Sequence, residues 1–131
     1  MKYLLDTAAF LWSVDAQARL NARAREILEN PEADLFLSTV VSWEIMIKVA
    51  RGRLTLARSV SEMLNLAVAK FNMHALPIAH AHSLALAELP PIHNDPFDRM
   101  LVAQARCENQ VLVTADETLK QYPLEILWCG K

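Results

Sequence analysis

Tyr3-Leu4-Leu5-Asp6-Thr7 sets three apolar residues directly against a carboxylate at the start of the chain, and Val111-Leu112-Val113-Thr114-Ala115-Asp116 places another carboxylate three residues past a similar run near its end. Short apolar runs of this kind read as strands buried on both faces, which is how strands of a parallel sheet look. Three further runs fit: Leu35-Phe36-Leu37, a weaker one near Ala75-Leu76-Pro77, and Ile126-Leu127-Trp128. Helical segments alternate with them, from Thr7 to Val14, Asn21 to Asn30, Val40 to Arg51, Val60 to Phe71, Ala79 to Leu89 and Pro96 to Glu108, with one short turn from Glu117 to Gln121. Pro31 closes the second segment, Gly52 the third and Pro90-Pro91 the fifth, each at a place that favours a helix stop. Val40 to Arg51 is almost wholly apolar and reads as a buried helix. Strands alternating with helices predict one α/β domain over residues 1–131, with helices on both faces of a small, mainly parallel sheet.

The 131 residues are 53% hydrophobic and 21% charged, enough apolar side chain for a real core. Thirteen Lys and Arg stand against fifteen Asp and Glu, so no basic coat is visible in the total. Gly52 and Gly130 are the only glycines, which excludes the glycine-rich loops that bind dinucleotides or nucleoside triphosphates. Cys107 and Cys129 form no C-x-x-C pair and read as packed thiols of a protein in the reducing cytosol. No apolar run has the length of a membrane span, and Asp6 comes too early for a signal peptide, so the chain is expected to start at Met1 and stay off the membrane. Trp12, Trp43 and Trp128 sit in apolar settings and are expected in the core, with an interface as the alternative place for Trp12. His80 and His82, two residues apart on a helix, point to different faces and are not read as a metal pair.

In open parallel sheets ligands bind beyond the carboxyl ends of the strands, which singles out four acids. Asp6 follows the first strand, Glu44 lies on the helix leaving the second, Asp98 is in the first turn of the helix before the fourth, and Asp116 lies just past Val113-Thr114. Together they would make an all-oxygen pocket without imidazole or thiolate, a donor set that suits Mg²⁺ or Mn²⁺ and not zinc. Each acid also has a structural reading. Asp116 can cap a helix, Glu44 can pair with Lys48 four residues on, and Asp98 can complement a helix dipole. Asp95 before Pro96 is a strong N-cap. Asp6 is the hardest to explain structurally, since a charge tight against an apolar strand is costly unless it is paired or metal-bound.

Four stretches in order, Tyr3-Leu4-Leu5-Asp6-Thr7, Ser42-Trp43-Glu44-Ile45, the segment from His93-Asn94-Asp95-Pro96-Phe97-Asp98-Arg99 to Ala105, and Val113-Thr114-Ala115-Asp116, resemble the successive motifs of PIN domains. They are most similar to the VapC-type toxins of bacterial toxin–antitoxin pairs. The resemblance implies a three-layer α/β/α sandwich on a parallel sheet of four to five strands. It implies an Mg²⁺- or Mn²⁺-dependent endoribonuclease that leaves a 5′-phosphate and a 3′-hydroxyl, dimerises, and is held inactive by a small antitoxin. By position, Asp6, Glu44, Asp98 and Asp116 match the acidic quartet, Thr7 and Thr114 lie where hydroxyls support it, and Asp95 belongs to the motif in a role left open.

Clustered carboxylates suit phosphodiester hydrolysis because cations held by them neutralise charge that builds on the phosphate oxygens. No His pair offers a metal-free cyclic-phosphate route, and Asp6 and Asp98 are taken as the main ligands. Setting the quartet aside leaves eleven acids against thirteen bases, so Lys48, Arg51, Arg53, Arg58, Arg99 and Arg106 are the cations available to an RNA backbone. Two other classes fit the acids less well. A phosphohydrolase on a small ester, or a receiver-like switch, wants more acid at the first strand, and the residue two past Asp6 is Ala8. A binding module would use the acids only as caps and ion pairs.

Overall fold

The computed structural model describes residues 1–131. In chain order the elements are β1 (Lys2–Leu5), α1 (Thr7–Asp15), α2 (Ala22–Glu29), β2 (Asp34–Ser38), α3 (Thr39–Ala50), α4 (Val60–Phe71), β3 (His74–Leu76), α5 (His80–Ala85), α6 (Pro96–Cys107), β4 (Val111–Thr114) and β5 (Ile126–Trp128). Three 3₁₀ turns, at Gln17–Arg19, Leu86–Glu88 and Glu117–Gln121, complete it. The five strands form one sheet in the order β3-β2-β1-β4-β5, and every pairing is parallel. The expected mainly parallel sheet is thus wholly parallel.

That order follows from the chain's path. From β1 the chain moves outward to β2 and β3, then returns past β1 to β4 and on to β5. Right-handed crossovers put helices on one face while the chain moves one way and on the other face once it reverses. α1 packs with α3 and α4, and α5 with α6, while α3 also meets α6, where Trp43 stacks on Phe97. The reversal opens a crevice between β1 and β4 at their carboxyl ends, where such sheets bind ligands.

Strands covered on both sides must be apolar throughout, and Tyr3, Leu4, Leu5 and Val111 to Thr114 are all buried. Phe10, Val40, Val41, Ile45, Leu101 and Val102 close over them. Leu112→Ala, at the centre of this layer, is expected to cost roughly 2–5 kcal/mol, read as a lower urea midpoint at unchanged slope.

Side-chain caps start the helices around the crevice. Asp6 Oδ1 accepts from the Ala9 N–H (2.9 Å), Ser38 Oγ from the Val40 N–H (3.0 Å), and Asp95 Oδ1 from the Phe97 N–H (2.8 Å) with Pro96 in the first turn. Gly52, just past α3, has φ +68°, and the Arg53 N–H turns back to the Lys48 carbonyl (2.8 Å), as a left-handed helix stop requires.

Several expectations need correction. The segment from Ala79 to Leu89 is not one helix: α5 ends at Ala85 and a 3₁₀ turn follows. None of the three tryptophans is in the core. Trp43 is 54% exposed and stacks edge-to-face on Phe97, while Trp12 and Trp128 are half-buried. Trp12 meets the Arg19 guanidinium and Trp128 the Lys120 ammonium, cationic contacts that a ring makes at the surface. α3 is buried on one face only, through Val40, Val41, Glu44 and Ile45, and exposes Trp43, Met46 and Val49 on the other. Cys107 is exposed, whereas Cys129 is buried and its thiol is pushed up to about 12 by that burial. His82 is buried against Glu108 and Gln104 while His80 is exposed, so the two do point apart.

Candidate functional site

Asp6 stands at the end of β1, Thr114 ends β4, and the parallel register that places Leu5 beside Val113 brings the two together. The Thr114 hydroxyl donates to Asp6 Oδ2 at 2.5 Å. Asp6 therefore has both oxygens engaged, one as the cap of α1 and one by Thr114. Glu44, only 3% exposed, reaches the same place from α3, with the Thr7 hydroxyl donating to Oε1 (2.6 Å) and the Lys48 ammonium to Oε2. The pairing with Lys48 is thus real, but its acid half is buried and not a solvated surface group. The contact in turn raises the Lys48 ammonium above its usual range.

Asp116 caps the 3₁₀ turn after β4, its Oδ1 accepting from the Thr118 N–H (2.9 Å), and Thr114 Oγ1 accepts from the Asp116 N–H (3.0 Å). Asp98 projects from the first turn of α6. It is the exception among the four acids, because the one donor near its carboxylate, His93 Nε2, lies closer to Asp116.

Asp6, Thr7, Glu44, Lys48, Arg53, Asp95, Asp98 and Asp116 line one cleft of about 440 Å³ with Leu11, Trp12 and Leu54 as its apolar wall. The structure therefore brings the whole acidic quartet, Asp95 and Thr7 together, with Thr114 behind Asp6. Crowding and burial show in the acidities. Burial pushes Asp6 up to about 6 against the pull of Thr114 and Ala9, with Asp116 and Glu44 adding repulsion. Burial pushes Asp98 up to about 7, helped by Asp95 and Glu44 and partly offset by His93.

His93 is the residue that sequence reading missed. Its Nε2 lies 3.0 Å from Asp116 Oδ2 and 3.3 Å from Asp98 Oδ2, so the pocket is not all-oxygen. His93, Asp98 and Asp116 each offer an atom within 4.8 Å of the others. Its place at the head of the His93-to-Ala105 motif was the available signal, but a loop histidine five residues before an acid has no helical spacing to give it away.

The cations divide. Lys48 and Arg53 line the cleft, and together with Arg51 they line an adjoining groove of about 350 Å³ beside Asn94 and Phe97. Arg99 is withdrawn from the expected RNA contacts: its guanidinium donates to the Pro90 carbonyl (3.0 Å) and the Tyr122 hydroxyl (3.3 Å), clamping the loop before α6. Arg58 pairs with Asp15 (2.8 Å), and Arg106 lies near Asn109 and Gln110, away from the cleft.

The donor set fits a hard divalent cation. Carboxylates dominate, Asp98 has unused acceptor capacity, and burial first, then crowding by neighbouring carboxylates, makes Asp6 and Asp98 weaker acids than usual, a cost that a bound cation would relieve. No helix is long and apolar enough to cross a membrane.

Comparison with known proteins agrees with this geometry. In solved structures the fold matches a chain of VapBC2 from Rickettsia felis, bound there to a DNA fragment from its promoter, with TM-score 0.77, 16% identity, and 99% of this chain and 100% of that one covered. It also matches a chain of a toxin–antitoxin complex from Klebsiella pneumoniae (TM-score 0.62, 15% identity, 95% and 96% covered). A third match is a chain of FitAcB from Neisseria gonorrhoeae (TM-score 0.65, 19% identity, 96% of both covered). Among curated proteins none matches the sequence. The family model for the PIN domain matches residues 3–124, almost the whole chain and all the acids of the cleft, and the chain belongs to the PIN domain family.

Proposed function

We propose that this chain is a divalent-metal-dependent endoribonuclease, the toxin of a toxin–antitoxin pair, working as a single domain over residues 1–131 in the cytosol. The observation that carries the reading is Asp98, a largely buried carboxylate whose one nearby donor, His93 Nε2, lies closer to Asp116, set among Asp6, Glu44, Asp95 and Asp116 at the carboxyl ends of β1 and β4. Membership of the PIN family and the likeness to chains of toxin–antitoxin complexes support it.

Asp98 and Asp6 are the main ligands for Mg²⁺ or Mn²⁺, and Glu44 and Asp116 hold it directly or through water. A divalent cation there supplies the positive charge that a reacting phosphodiester needs and acidifies the water that attacks it. Thr7 and Thr114 fix Glu44 and Asp6 by donating to them, and Asp95 holds the start of α6, which carries Asp98. Lys48, Arg51 and Arg53 offer a phosphate backbone its charge contacts, and the open groove they line admits single-stranded RNA. Hydrolysis by water leaves a 5′-phosphate and a 3′-hydroxyl.

The apolar stripe Trp43, Met46 and Val49 on α3 supports a homodimer, and the apolar cleft wall of Leu11, Trp12 and Leu54 gives an antitoxin surface to bury. Met46→Glu is expected to convert the dimer to monomer in sedimentation velocity, with its melting temperature little changed. A dimer that persists in Met46→Glu and Trp43→Ala alike places the contact elsewhere.

The reading is tested by incubating the purified chain with tRNA, rRNA fragments, mRNA and a small phosphate ester, with Mn²⁺ or with chelator. RNA cut internally, only with metal, and bearing 5′-phosphate ends is the expected result. Turnover of the ester alone would favour a phosphohydrolase, and no turnover of either a binding module.

A further inference from the structure

We propose that His93 is a positioning residue that braces Asp116 beside Asp98 by donating its Nε2–H, and that it is not itself a ligand of the metal. The inference rests on the nuclease reading above and concerns how the same cleft is held.

A backbone N–H can only donate, and the Asp95 N–H lies 3.0 Å from His93 Nδ1, so Nδ1 must present its lone pair. In the neutral ring the hydrogen then sits on Nε2, the atom 3.0 Å from Asp116 Oδ2. To bind a metal Nε2 would need a free lone pair, which requires moving the hydrogen to Nδ1 and breaking the contact with Asp95. The proximity of His93, Asp98 and Asp116, which by distance alone resembles a three-residue metal site, is therefore an N–H donor facing two acceptors.

The ring cannot readily turn to escape this role. The His93 N–H donates to the Tyr122 hydroxyl (2.8 Å), which also receives Arg99 Nη1, and Arg99 holds the Pro90 carbonyl (3.0 Å). Tyr122 is buried, so the loop from Pro90 to Asp95 is fixed to the interior. Asp116 has Oδ1 tied to the Thr118 N–H and Oδ2 to His93, which sets the plane of its carboxylate. Asp98 is left with its acceptor capacity open toward the cleft. Partners that orient ligating carboxylates typically account for about 10–100-fold in metal affinity.

Mn²⁺ and Mg²⁺ binding to the wild-type chain, His93→Leu and His93→Gln, measured by calorimetry beside melting curves, tests the proposal. His93→Leu is expected to weaken both ions alike, about 10–100-fold, and His93→Gln, which keeps an N–H donor, to recover most of the loss. Imidazole ¹⁵N spectra of the wild type are expected to show a bare Nδ1 and a protonated Nε2, with and without Mg²⁺, and this readout stands even if a variant misfolds. Unchanged affinity in His93→Leu, a loss confined to Mn²⁺ without rescue by glutamine, or an Nε2 that loses its hydrogen on Mg²⁺ loading would overturn it. A wild-type chain that binds neither ion overturns the nuclease reading and this inference with it, whereas normal wild-type binding with any of the former results overturns this inference alone.

Discussion

Asp98→Asn is expected to lower metal-dependent RNA cleavage by about 1,000-fold while the protein stays folded. Charge stabilisation by a bound cation is worth several kcal/mol in the transition state, and every 1.36 kcal/mol is a factor of ten. Asparagine matches the carboxylate in shape but has no negative charge to hold the ion. The change leaves the scaffold intact, because the Asp98 side chain caps no helix and its one polar contact, with His93 Nε2, is longer than the one His93 makes with Asp116. It also relieves the repulsion from Asp95 and Glu44 that helps push Asp98 up to about 7. A slightly higher melting temperature without metal should therefore accompany the loss of activity. Cleavage that survives within tenfold would show that Asp98 does not hold the catalytic ion.

Asp6→Asn carries the second large effect, and its size depends on pH. Asp6 is pushed up to about 6 in the folded chain from an ordinary 3.8. Between those values the folded state keeps a proton that the unfolded state has lost, so stability is fully present below pH 3.8 and falls as pH rises through 6. Asp98 adds to the same fall up to about pH 7. The metal-free wild type should therefore melt lower at pH 8 than at pH 5. Asparagine removes this penalty, still accepts from the Ala9 N–H, and can meet Thr114 with the hydroxyl turned to accept. A gain of about 1–3 kcal/mol for Asp6→Asn is expected at pH 8 and almost none at pH 4, read from denaturant unfolding in chelator. Saturating Mg²⁺ should reverse the ranking at pH 8, since only the wild type gains stability by binding it. Equal gains at both pH values would show that Asp6 is not strained by its charge.

Most of the fold was legible because its signals are local. The runs ending at Asp6 and Asp116 are strands at those places, and Val60 to Phe71 is a helix over the same residues. Expectations failed where surroundings outweigh composition. Trp43 lies in an apolar segment, yet the periodicity of α3 turns it outward with Met46, and only tertiary contact tells a core face from an unpartnered one. The acidic quartet was readable from its position after strands, and its alternative readings turned out to be compatible with it. Asp6 and Asp116 cap a helix and a turn and also line the cleft, because the donors at a helix start lie at the carboxyl end of the preceding strand. His93 and Arg99 were not readable. Their roles depend on how the loop before α6 folds back to Tyr122 and Asp116, contacts 23 to 29 residues away in sequence.

The central claim, that these carboxylates hold a divalent ion for RNA cleavage, is tested most directly by titrating Mn²⁺ into wild type and Asp98→Asn in one buffer. Cleavage of a labelled RNA is followed in the same samples. Wild type should bind the ion, rise in melting temperature and cut RNA in parallel with occupancy, with all three abolished by chelator and nearly absent in Asp98→Asn. Cleavage that is insensitive to chelator, or equal in wild type and Asp98→Asn, would contradict it.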